Sequence, residues 1–208
     1  MDRMTADPPS IYVQDHGFVV TDRGIDPLFE TMDYRTGLAG VMESAALIYA
    51  GIDRGYVTVS AGGLDRSPAL DTGEHWAGLT AWEDVAEFSL HVPHGALTVE
   101  QLECGPFGAR PALPVLSAHG PGHYRLRVHA SGRDRHYDQV ADQSDERFHI
   151  TAWPAPPAEP LVIRATSRCG YGLRLAALGA RTDPIQPSPE EQAEAEHQAM
   201  LRQKLLGM

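Results

Sequence analysis

Ten histidines stand in this 208-residue chain. Imidazole is the side chain that both titrates and binds metals near neutral pH. Several come in close pairs. His91 and His94 bracket Val-Pro, and His119 and His123 bracket Gly-Pro-Gly. A metal site needs three or four converging ligands and further groups to orient them. Pairs alone fall short, and no HExxH, no CxxC and no HxH with a following Glu is present. The chain is therefore expected to hold no metal and no cofactor.

A second constellation alternates. Arg125, Arg127 and His129 occupy every other position of one segment, and Arg147 and His149 do the same in another. Period-two spacing puts alternate side chains on one face of a strand. If the two strands pair, these five form a cationic face suited to an anionic group or an acidic partner surface. Arginines paired with nearby carboxylates on a solvated face are the structural alternative. Between the segments, Gly132-Arg133-Asp134 offers an Arg-Asp pair in a loop, which can brace the loop or contact a partner. No GxSxG elbow, P-loop or dinucleotide fingerprint occurs, so nothing names a nucleophile or a phosphate cradle. Cys104 and Cys169 form no motif and no disulfide framework.

The elements that must position these residues are predicted to be strands. Val85, Glu87, Ser89 and His91 oppose Ala86, Phe88, Leu90 and Val92. Tyr124, Leu126, Val128 and Ala130 oppose the Arg/His set, and Phe148, Ile150 and Ala152 alternate with Arg147, His149 and Thr151. Residues 38–52 fit a helical or a strand face, and the reading taken is a hairpin turning at Asp53-Arg54-Gly55 into Tyr56-Val57-Thr58-Val59-Ser60. Pro93-His94-Gly95 is read as the turn pairing residues 85–92 with 96–102, residues 131–145 as a polar loop, and 161–166 and 171–175 as short strands. Short strands punctuated by 20 Gly and 16 Pro predict a mainly β fold, an antiparallel jelly-roll-like β-sandwich over 11–181. Residues 1–10 read as a flexible tail. Residues 182–208 read as a linker and a C-terminal α-helix, opened by Ser188-Pro189-Glu190-Glu191.

The net charge is −11 and only Lys204 is a lysine. Such a balance argues against nucleic acid and an anionic membrane surface. It suits a basic protein partner. No signal core opens the chain and no apolar run spans a bilayer, so a cytoplasmic location is expected.

The segment Gly122-His123-Tyr124-Arg125-Leu126-Arg127-Val128-His129 resembles competence protein J and its relatives. Further words of the same layout are a hairpin region at 45–61, His91-Val92-Pro93 and Gly95-Ala96-Leu97-Thr98-Val99. The segments Gly132-Arg133-Asp134 and Trp153-Pro154-Ala155-Pro156-Pro157 look like those of uncharacterised actinobacterial proteins. The resemblance covers about residues 11–157; the sequence beyond Trp153 departs from it. It implies a small β protein of a family known for an inhibitor of a DNA-entry nuclease. The leading expectation is a non-enzymatic protein-binding module, an acidic inhibitor or immunity-like partner of a basic protein such as a nuclease. Its contacts are expected at Glu83, Asp84, Arg133, Asp134, Asp142, Asp145 and Glu146. The alternative is a small-molecule or carbohydrate-binding sandwich, metal-containing or not, with Trp76, Trp82 and Trp153 as stacking surfaces.

Overall fold

Inward-facing side chains at every second position build one core. In the computed structural model, which describes residues 9–70, 78–106 and 113–182, ten strands form two sheets. The strands are β1 (Ser10–Val13), β2 (Gly17–Asp22), β3 (Ala39–Val41), β4 (Ala45–Tyr49), β5 (Arg54–Gly63), β6 (Asp84–Val92), β7 (Leu97–Glu100), β8 (Gly122–Ser131), β9 (Val140–Pro154) and β10 (Leu161–Ala165). The larger sheet runs β1-β5-β9-β8-β6-β10 and the smaller runs β3-β4-β2-β7. Phe88, Leu126, Val128 and Ile150 from the larger sheet share a buried cluster with Phe18, Val20, Ile48 and Leu97 from the smaller. The Phe18 and Phe148 rings meet edge to face, 5.2 Å apart. Each such side chain contributes about 1.5–3 kcal/mol by leaving water.

Helix α1 (Arg168–Thr182) follows β10. Chain contacts divide the protein into units Met1–Ala177 and Leu178–Met208. The described part of the second unit is the end of α1. Among the described residues no helix is long and apolar enough to cross a membrane. The expected helix from Ser188 and the stacking role of Trp76 lie outside the described residues.

Several expected pairings are corrected. The hairpin of this region is β3–β4, with Gly40 opposite Leu47. Its turn is Glu43-Ser44, where Met42 N–H donates to Ala45 O at 2.9 Å. The chain then leaves the smaller sheet, and β5 pairs with β1 and, in parallel, with β9. The larger sheet is thus not purely antiparallel. Strands β6 and β7 do not pair either. The carboxylate of Asp22, fully buried, accepts the N–H groups of His94 and Ala96 and carries β7 over to β2. Gly95, at φ 70°, permits this corner. Residues 140–145, read as loop, begin β9, because β5 offers them a parallel partner. Residues 171–175, read as strand, are helical: Tyr171 and Leu175 are exposed on one helical stripe four residues apart.

Candidate functional site

The expected Arg/His face assembles on the outer side of the larger sheet. Strands β8 and β9 pair antiparallel, setting His129 opposite His149, Arg127 opposite Thr151 and Arg125 opposite Trp153. On the other flank, β6 places Glu87 opposite Arg127 and Ser89 opposite Arg125. Arg147 continues the face opposite Ser131, to whose hydroxyl it donates at 3.3 Å.

Most of this face is covered rather than solvated. Glu87 lies between two guanidiniums: Arg125 Nε donates to Oε2 at 3.2 Å, and Arg127 reaches Oε1 at 2.7 Å. All three are buried. Arg125 also donates to Ala158 O at 2.9 Å, fastening the proline-rich segment beyond β9. Arg127 Nη2 donates to Pro68 O at 3.0 Å, fastening the loop after β5. The Nη1 donors of Arg127 have no partner among the described residues.

Beside Arg127 opens a cleft of about 360 Å3, lined by Pro68, Leu79, Trp82, Arg127, His129, His149 and Thr151. Trp82 stands over both imidazoles, 5.5 Å from the His129 ring and 6.3 Å from the His149 ring. The Arg147 guanidinium sits 5.6 Å from the Trp82 ring, a cation–π distance. A hydrogen bond sets the His129 tautomer. His129 Nδ1 lies 3.2 Å from the His149 carbonyl, which only accepts, so Nδ1 carries the proton. The Ser60 hydroxyl lies 2.8 Å from His149 Nδ1 and 3.3 Å from Phe148 O, so the His149 ring is anchored at Nδ1 in either tautomer. Nε2 of neutral His129 is then a bare lone pair, and neither ring's Nε2 has a hydrogen-bond partner among the described residues. Burial pushes His129 down to about 4; the charges of His149 and Arg127 act in the same direction, and the bond to the His149 carbonyl opposes them. Burial also lowers His149. The buried Thr151 hydroxyl has no hydrogen-bond partner among the described residues.

The residues expected to contact a protein partner divide differently. Asp84, Arg133 and Glu146 are not at the surface: they are 2%, 0% and 0% exposed. Arg133 donates from Nη2 to Asp84 Oδ2 at 2.6 Å, to Gly37 O at 3.0 Å and to Ser167 Oγ at 3.1 Å, and from Nη1 to Tyr49 O at 3.1 Å. The Glu146 carboxylate accepts Gly51 and Ile52 N–H at 2.9 and 2.8 Å. Charged groups become this buried only when partners satisfy them, and here the partners come from five separate segments. Asp134 is exposed, but its two oxygens accept Arg168 and Cys169 N–H at 2.8 and 2.9 Å, capping α1. Caps of this kind contribute about 1 kcal/mol. Glu83 is half-buried and accepts Gly132 N–H at 2.8 Å. Asp145 pairs with Arg135 at 3.0 Å, and Asp142 is exposed.

Two other places are chemically weaker. A cleft of about 530 Å3 lies at the start of α1, lined by Asp134, Tyr137, Arg168, Cys169 and Leu173. Its carboxylate is committed to the cap, and burial pushes the Cys169 thiol up to about 11. The histidine pairs re-form: His91 faces His123, with ring centres 4.8 Å apart, while His94 bonds Arg23 O and His119 bonds Asp65. Among the described residues no three His, Cys, Asp or Glu side chains converge as metal ligands.

The sequence pointed to Trp82 as a stacking surface but not to Glu87 and Thr151 as its neighbours. Glu87 and Thr151 were legible, because each shares the alternation phase of the face. Trp82 and Pro68 come from connecting segments without periodicity. Comparison with protein-family models, curated proteins and solved structures found no match to this chain.

Proposed function

We propose that this protein is a non-enzymatic binding protein, a β-sandwich of jelly-roll-like kind, whose outer-face cleft takes a small molecule. A core shared by both sheets supports the sandwich reading. The parallel β5–β9 pair is a departure from the all-antiparallel pattern. One observation carries the functional reading. Among the described residues, polar groups around the cleft have no hydrogen-bond partner: Arg127 Nη1 and two imidazole Nε2 atoms. A ligand entering the cleft would engage these groups, which line it, whereas the Thr151 hydroxyl is sealed beneath the surface. Trp82 adds a stacking wall, and the cleft has the size of a small-molecule site. Among the described residues no carboxylate bonds either imidazole as a catalytic dyad of Ser60 and His149 would need.

Thermal-shift and calorimetric screening of small carboxylates, phosphates and sugars tests this. Thr151→Val is expected to leave the free protein as stable or up to about 1 kcal/mol more stable, since it removes an unsatisfied hydroxyl. Trp82→Ala and His149→Gln are expected to weaken any cleft ligand about tenfold or more. A ligand indifferent to both variants sits elsewhere and sinks this reading.

The acidic-inhibitor reading retains one observation: Asp142 and Asp145 stand exposed on β9 of a chain of charge −11. It predicts a salt-sensitive complex with a basic protein. Reversing both residues to Lys should abolish that complex, and an unchanged complex removes this reading.

A further inference from the structure

Among the described residues, the charges around the cleft are mainly positive. Strand β8 contributes Arg125 and Arg127, β9 contributes Arg147, and β6 contributes Glu87. Strand β5 contributes Ser60, which is uncharged. Glu83, just before β6, turns its carboxylate to the Gly132 N–H, and Asp65 in the loop after β5 is held by His119. Among the described residues, Arg127 is thus the one guanidinium lining the cleft, Arg147 lies against its Trp82 wall, and the Glu87 carboxylate is shared by Arg127 and Arg125, in a protein that is acidic overall. Adding positive charge to the two imidazoles is unfavourable there until an anion arrives.

Resting on the small-molecule reading above, we propose that the cleft binds its ligand through a carboxylate or phosphate group. That group is seated against Arg127 and the Nε2 atoms of His129 and His149, and the imidazoles take up a proton from solvent as it binds. His129 Nδ1–H is already fixed by His149 O, so a proton adds there at Nε2, and in protonated His149 Nδ1 donates to Ser60 while Nε2–H is left for the ligand. Protonation converts Nε2 from acceptor to charged donor, and charge-assisted bonds to an oxyanion are the strong kind. Arg127 can offer Nη1 without releasing Glu87 or Pro68. Trp82 is left to cover an adjoining ring or apolar portion. The free-state pKa depression of both histidines agrees with this coupling. By linkage, a group whose pKa rises on binding strengthens binding as pH falls.

The test titrates the full chain with sodium sulfate, a dianion that does not titrate near neutrality. Ionic strength is held with chloride, and binding is followed by calorimetry at about pH 5 and about pH 8. The expected result is sulfate binding at least about tenfold tighter at the lower pH. Arg127→Lys keeps the charge beside Glu87 and is expected to weaken binding at both pH values. His129→Gln with His149→Gln should flatten the pH dependence, and His149→Gln alone should reduce it if the double variant does not fold. Equal affinity at both pH values, or indifference to Arg127→Lys, overturns the proposal. A neutral sugar that binds in a Trp82-dependent manner while sulfate does not overturns the anion chemistry and leaves the small-molecule reading standing. Binding of neither overturns both.

Discussion

Arg133→Met is expected to lower the unfolding free energy by about 3–5 kcal/mol, because it strands buried charge. The guanidinium has no exposed surface and bonds Asp84, Ser167 and the carbonyls of Gly37 and Tyr49. Met fills similar volume but offers none of those donors. Asp84 would keep only the N–H groups of Thr166 and Ser167, and Glu146 would lose its nearby positive charge. Total stability is on the order of 5–15 kcal/mol, so the loss is a large part of it. Urea unfolding at neutral pH reads the difference, and a loss below about 1 kcal/mol would refute the keystone role.

Acidification should narrow the gap. Burial pushes the Asp84 carboxyl up, but the Arg133 charge and the bonds from Ser167 and Arg133 outweigh it and hold the group below its ordinary value. Its folded pKa therefore lies below the unfolded one. The stabilisation it gives is complete above about pH 4 and is lost as pH falls toward the folded value. Glu146 has the opposite sign: burial raises it, against the Gly51 and Ile52 N–H groups and Arg133, so protonation relieves strain there. In the variant both carboxyls should protonate at higher pH than in the native protein. The native advantage should then shrink between neutrality and about pH 4. A gap that widens on acidification would contradict this assignment of charges.

Gly51→Ala is expected to cost more than about 3 kcal/mol, at the upper end of overpacking. A Cβ at this position would lie 1.7 Å from Arg133 O and 2.6 Å from its carbonyl carbon, and neither can rotate away. Gly51 is also held on both sides, donating to Glu146 at 2.9 Å and accepting from Asp138 N–H at 2.9 Å. Relief requires separating the β4–β5 link from the loop that carries Arg133. Gly62→Ala is the control, since a Cβ there meets nothing within 4 Å. It should be neutral or stabilising by up to about 1 kcal/mol, as replacing a strand glycine normally is. Similar urea midpoints for the two variants would show that the Gly51 contact is not a tight one.

Alternation along β6, β8 and β9 was enough to assign each residue to the core side or the outer side. Side-chain direction in a strand depends only on parity, so Phe88, Leu126 and Ile150 were placed inward and Arg125, Arg127, His129, Arg147 and His149 together, with no knowledge of the sheet. Parity says nothing about which strand lies alongside. Pairing of β5 with β9 joins residues about 90 positions apart, and the buried Asp22 carboxylate sends β7 to β2 rather than β6. The start of helix 168–182 has both a local cap, Ser167 Oγ accepting Gly170 N–H, and a distant one, Asp134, 34 positions upstream of Arg168. The largest reversal concerns charge. Asp84, Arg133 and Glu146 look like surface residues one at a time, because burying an isolated charge is prohibitive. They are buried because their partners arrive from distant segments, and such convergence leaves no local trace. Among the described residues the same physics left Arg127 Nη1 without a partner: the strand fixes where Arg127 points, and the surrounding loops decide what is left for a ligand.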